Sequence, residues 1–209
     1  MNSITELSAF IACNRAIIHK KNTLTAIDTN RTSTRSMCIV NSTIIEDGAQ
    51  NSGAVIRCES WPARQSFLMN NIILNKNAAN PVVEMSGDDT RHLTSKGYNL
   101  MGGTIMPAST NKFTTSEFDK YNSTISSLNV VWDANRSVYT WDGNVNEFTR
   151  TASDAVKNAI TTGFKPDSCP FQNLGEEFGK WLEEMDAFST DQLGNPRDKN
   201  AMWPGAYQE

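Results

Sequence analysis

The chain is poor in the residues that build most recognisable catalytic or metal centres. It holds 2 histidines and 4 cysteines in 209 residues. Cys13, Cys38, Cys58 and Cys169 form no CxxC pair and have no histidine at ligand spacing, which excludes a zinc site of the usual sequence pattern. The first three lie in β-prone segments and read as small buried hydrophobes, with a disulfide left open. No apolar run approaches the length needed to span a bilayer, so no transmembrane segment is expected. The start, Met1-Asn-Ser-Ile-Thr-Glu-Leu7, has neither a basic region nor an apolar run of a signal peptide. There is no basic excess either: the net charge is −4, so nucleic acid is not an expected partner. GxSxG, P-loop and HExxH motifs are all missing.

What is present is a repeat. The segments AFIACNRAIIHKK at 9–21, SMCIVNSTIIEDG at 36–48 and SFLMNNIILNKN at 66–77 share a pattern, echoed by SKGYNLMGG at 95–103. Asn14, Asn41, Asn70 and Asn99 recur at spacings of 27, 29 and 29 residues. An apolar pair follows in each of the first three copies: Ile17-Ile18, Ile44-Ile45 and Ile73-Leu74. A second β-prone element keeps the same rhythm, with Ile27, Val55 and Val83 each 28 apart. A period in the twenties with short strands bounded by polar turns points to a solenoid. The expected fold is all-β: a right-handed single-stranded parallel β-helix of about three coils, with two strands per repeat and like positions stacked ~4.8 Å apart.

The asparagines fit that architecture as structural residues. Asparagine tolerates left-handed backbone better than other non-glycine residues and so suits a sharp corner. Stacked amides can also bond to one another in a ladder. Asn14, Asn41, Asn70 and Asn99 are therefore the expected ladder. His19, beside Lys20 and Lys21, reads as an exposed turn residue.

After Gly102-Gly103 the rhythm stops. This divides the chain into 1–103, the coils, and 104–209, an irregular β and helical region that caps them. Strands are expected at 127–132 and 137–141. A capping box at Thr151-Ala-Ser-Asp154 opens a helix that Gly163 closes. A second helix is expected from about Leu174 to Met185, where Phe178, Trp181, Leu182 and Met185 recur at helical spacing. Its glutamates read as a solvated face. No polar cap is evident before Ala9, so the chain is expected to be the C-terminal part of a longer protein.

The ending reads DQLGNPR at 191–197 and then WPGAY at 203–207. Together with GYNLMG at 97–102 it resembles choice-of-anchor Q type proteins, exported or surface proteins of Bacteroides-like bacteria with a pectate-lyase-like β-helix. The matching residues are Asp191, Gln192, Gly194, Arg197, Pro204, Gly205 and Tyr207. The resemblance implies an extracellular or cell-surface location and a polysaccharide or cell-surface glycan as partner. In physical terms Asp191 and Arg197 can form a charge-assisted pair that pins the last loop, and Trp203 and Tyr207 can cover the open end of the core.

Enzymes of that resemblance hold calcium on acidic clusters and use Arg or Lys as base, or use paired carboxylates. The best local cluster of that kind is Glu84-Met-Ser-Gly-Asp88-Asp89-Thr-Arg91-His92. Asp88, Asp89, Arg91 and His92 are weak catalytic candidates, because Gly-Asp-Asp is also an ordinary turn and neighbouring strand residues point to opposite faces. No cofactor is expected, with calcium the one ion left open. The sequence favours a non-catalytic module for adhesion or glycan binding. The alternative is a polysaccharide lyase or glycoside hydrolase whose active coils lie partly upstream.

Overall fold

The computed structural model describes residues 10–13, 16–19, 27–28, 37–46, 53–59, 66–75, 77, 79–86, 93–103, 113, 115–122, 130–133, 135, 138–141, 150–163 and 188–206. The first repeat contributes β1 (Phe10–Cys13), β2 (Ala16–His19) and β3 (Ile27–Asp28). The second contributes β4 (Met37–Val40), β5 (Thr43–Glu46) and β6 (Ile56–Glu59). The third contributes β7 (Ser66–Met69), β8 (Ile72–Asn75) and β9 (Val83–Ser86). Then come β10 (Leu93–Ser95), β11 (Leu100–Gly102), β12 (Lys120–Asn122), β13 (Val130–Asp133), β14 (Val138–Trp141) and α1 (Ser153–Gly163).

These strands sort into parallel sheets by their place in the repeat. The first sheet runs β1-β4-β7-β10, the second β12-β11-β8-β5-β2 and the third β3-β6-β9. Each sheet thus takes one strand from each of the first three repeats. Among the described strands, β13 and β14 pair antiparallel as a two-stranded sheet.

Two expectations are corrected here. The right-handed single-stranded β-helix of about three coils does not stand. The described residues form three separate parallel sheets, with no closed solenoid among them, and the first expected helix is present as α1. The residues of the expected second helix lie outside the described residues. The physical reason is that a period fixes which strands pair, while the corners between strands decide how sheets are set against one another. Each repeat also carries three strands rather than two. What reads as one apolar segment is broken at its middle, where Asn41 (φ 48°) and Asn70 (φ 56°) turn the chain from the first sheet into the second.

Register corrects two further details. Ile27 lies beside Ile56, and Ile56 beside Val83, so Val55 is one place out of that column. His19 ends β2 in register with Glu46 instead of standing in a turn. Near the other end, Thr151 does not cap α1. Its backbone pairs in both directions with Met202, and the first helical bonds run to the Ala152 carbonyl.

The core lies between the sheets. Ile44, Ile73 and Met101 stack in one column of the second sheet and meet Ile39 and Leu68 of the first and Ile56 and Val83 of the third. Full burial of each such side chain contributes about 1.5–3 kcal/mol. The middle of the second sheet is buried on both faces: every residue of β5 and β8 is buried, charged Glu46 and polar Asn75 included. Uninterrupted apolar runs such as Ile44-Ile45 and Ile72-Ile73-Leu74 are what two covered faces require of a parallel sheet.

Candidate functional site

The cover on the outer face of the second sheet includes the segment 202–206. Ala206 N–H donates to Thr43 Oγ1 at 3.1 Å, and Gly205 N–H to the Asn70 carbonyl at 2.9 Å. Gly205 has φ 89°, and a Cβ there would sit 2.8 Å from both Ile72 Cδ1 and Thr43 Oγ1. Gly205→Ala combines left-handed strain of about 1–2 kcal/mol with overpacking of about 1–3 kcal/mol. It is expected to destabilise the fold by at least about 2 kcal/mol, read as a lower denaturation midpoint at unchanged slope.

Arg197, buried to 6% exposure, ties this segment down. Its Nε donates to the Thr190 carbonyl at 3.0 Å, Nη1 to the Trp203 carbonyl at 3.3 Å and Nη2 to the Gly205 carbonyl at 2.8 Å. Asp191 holds the preceding loop. Its carboxylate accepts from Leu193 N–H, Asn195 N–H and Asn195 Nδ2 at 2.7, 2.9 and 3.0 Å. Trp203 is buried, with the Arg150 guanidinium 4.0 Å from its ring centroid. Tyr207 lies outside the described residues.

The asparagines divide into two columns. Asn41 and Asn70 stand together: Asn70 Nδ2 donates to Asn41 Oδ1 at 2.8 Å and to the Trp203 carbonyl at 3.1 Å. Asn14 lies outside the described residues. Asn99 is not in this column. Three residues separate Leu68 from Ile72, but four separate their partners Ser95 and Leu100. The extra residue shifts Asn99 into the neighbouring column with Ser42, Asn71 and Asp119.

That neighbouring column is a continuous ladder which sequence reasoning missed. Ser42 N–H donates to Asn71 Oδ1 at 2.9 Å, and Asn71 N–H to Asn99 Oδ1 at 3.0 Å. Asn99 N–H then donates to Asp119 Oδ1 at 3.1 Å. The side-chain amides follow the same direction, Asn71 Nδ2 to Asn99 Oδ1 at 2.9 Å and Asn99 Nδ2 to Asp119 Oδ1 at 3.1 Å. The only hint in the chain is the doubled Asn70-Asn71.

The inserted residue also changes the third corner. Gly97 has φ 104°, and a Cβ there would lie 3.1 Å from Ser116 Oγ and 3.2 Å from Phe118 Cβ, so the glycine lets segment 116–118 approach. The left-handed place that Asn41 and Asn70 fill in earlier repeats falls on Tyr98, at φ 61°. Tyr98 stacks on Phe118 with centroids 5.1 Å apart and planes 5° from parallel. Phe118 is 46% exposed. Lys96, Glu117 and Lys120 are exposed around the pair. Tyr121 extends the Ile44–Ile73–Met101 column at the end of the stack. Tyr121 is 40% exposed, and the partial burial of its ring, then the charge of Asp119, push its hydroxyl pKa above the ordinary tyrosine value.

The weak catalytic candidates Asp88, Asp89, Arg91 and His92 lie outside the described residues. No group of three or more His, Cys, Asp or Glu side chains able to hold a metal ion occurs among the described residues. No described helix is long and apolar enough to cross a membrane. No protein-family model matches the chain, and no curated protein or solved structure matches it either.

Proposed function

We propose that this chain is a non-catalytic glycan-binding part of an exported bacterial cell-surface protein, with the exposed Tyr98–Phe118 pair as its sugar contact. One observation carries the reading. A tyrosine occupies a left-handed backbone position that the preceding repeats give to asparagine. A bulky residue there is a strained outlier, and such strain persists where the surroundings enforce it, most often at functional sites. Its result is a parallel aromatic stack whose outer ring stays open to solvent. The electron-rich face of an aromatic ring suits the C–H face of a sugar. Export and surface location rest on the resemblance of the GYNLMG and DQLGNPR segments.

The test is retention on a glycan array by the parent chain, Phe118→Ala and Tyr98→Asn. Phe118→Ala is expected to weaken retention about tenfold, the equivalent of roughly 1.4 kcal/mol. Tyr98→Asn restores the residue type of the earlier repeats and is expected to lose retention while melting within a few degrees of the parent. A parent chain that retains no glycan, or full retention by Phe118→Ala, removes the reading.

A further inference from the structure

We infer that Asp119 is the positioning residue of the aromatic pair, an inference whose bearing on binding rests on the reading above. Its carboxylate is 7% exposed and joins the two segments that carry the rings. From the corner that bears Tyr98, Asp119 Oδ1 accepts Ser95 Oγ–H at 2.9 Å, Asn99 N–H at 3.1 Å and Asn99 Nδ2 at 3.1 Å. From the segment that bears Phe118, Oδ2 accepts Ser116 N–H at 2.9 Å. Ser95 Oγ in turn accepts Gly97 N–H at 2.9 Å and Asn99 Nδ2 at 2.8 Å. The residues on both sides of Tyr98 are therefore fixed, and so is the residue two before Phe118.

The choice of aspartate follows from its place in the ladder. Asn71 and Asn99 each accept from the preceding repeat and donate onward. Asp119 is the last described member, and a carboxylate only accepts. Both its oxygens are thus free to take donors, one set from each ring-bearing segment. An asparagine at 119 would turn an NH₂ toward Ser116 N–H, donor against donor, or else toward Ser95 and Asn99. Either way the two segments lose their common acceptor. The hydrogen bonds of Asp119 go to Ser95, Asn99 and Ser116, so its effect on binding runs through the placement of Tyr98 and Phe118.

The experiment is a double-mutant cycle on the full chain with Asp119→Asn and Tyr98→Asn, read by melting temperature, by near-ultraviolet circular dichroism and by glycan retention. Asp119→Asn alone is expected to lose most of the circular dichroism of the stacked rings and to weaken retention at least tenfold. With Tyr98→Asn already present, the ring signal and retention are expected to change no further, and the drop in melting temperature to shrink by at least half. Ser95→Ala removes one donor of the same network and decides the matter if Asp119→Asn does not fold: it is expected to reduce the ring signal partially. Independent, additive effects of the two substitutions, or an unchanged ring signal in Asp119→Asn, overturn the inference. If the parent chain retains no glycan, the binding reading fails, while ring signal and melting temperature still judge the role of Asp119.

Discussion

Asn70→Leu is expected to lower the unfolding free energy by about 2–5 kcal/mol. Backbone strain and lost hydrogen bonds add up. Leucine at φ 56° meets the left-handed clash that asparagine partly avoids, about 1–2 kcal/mol. Asn41 Oδ1 loses a donor at 2.8 Å, and the Trp203 carbonyl loses one at 3.1 Å but keeps Arg197 Nη1 at 3.3 Å. Removing one partner of a buried hydrogen bond costs about 1–3 kcal/mol. The site is fully buried, so water cannot substitute. Against a domain stability of about 5–15 kcal/mol, this is a large fraction. Asn70→Gly separates the terms: it relieves the backbone and keeps only the hydrogen-bond loss, so its effect should be about half as large. Denaturant titration of the three proteins measures both. A leucine variant that unfolds with the parent would show that neither the corner nor the amide pair stabilises the fold.

Arg197→Met is expected to release the terminal segment at a cost of about 3–5 kcal/mol. Methionine keeps an apolar stem that reaches as far as Nε but removes all three donors to the Thr190, Trp203 and Gly205 carbonyls. Hydrogen bonds from a charged donor contribute about 1.5–3 kcal/mol each, and their sum is reduced because they act as one unit. Trp203 keeps the Asn70 amide, whereas the Gly205 carbonyl loses its guanidinium donor. The readout that identifies the mechanism is local: amide exchange at Met202, Gly205 and Ala206 should accelerate far more than at β5 and β8. Arg197→Lys tests the geometry, since a point-like ammonium cannot serve three divergent carbonyls as a planar guanidinium does. It should fall between the parent and methionine. Unchanged exchange across 202–206 in Arg197→Met would remove the tether from this account.

How much of this was legible depended on which physical rule each residue obeyed. Asn41 and Asn70 were legible as corner residues, because few side chains tolerate their backbone angles. Asn99 was misplaced by one position. The letter matched, but the corner before it holds an extra residue, Gly97, and a letter pattern does not reveal an insertion that preserves overall spacing. The same insertion hid the aromatic pair, since Tyr98 looked like part of a motif ending rather than the occupant of an asparagine's place. Val55 was likewise one place off the Ile27–Ile56–Val83 column, because adjacent β-branched residues both read as core. Thr151 carried the letters of a helix cap. Its backbone instead pairs with Met202, a partner 51 residues away that no local rule can supply.

The sequence by itself determined the rhythm: short strands of one type recurring every 27–29 residues, with apolar pairs that had to be buried and asparagines that had to turn the chain. That much follows from side-chain hydrophobicity and backbone sterics, which act within a few residues. Tertiary structure alone decided that three parallel sheets result, that the ladder runs through Ser42, Asn71, Asn99 and Asp119, and that Tyr98 meets Phe118. These depend on hydrogen bonds and contacts between residues 20 or more apart in the chain, whose register is set only when whole repeats settle against each other.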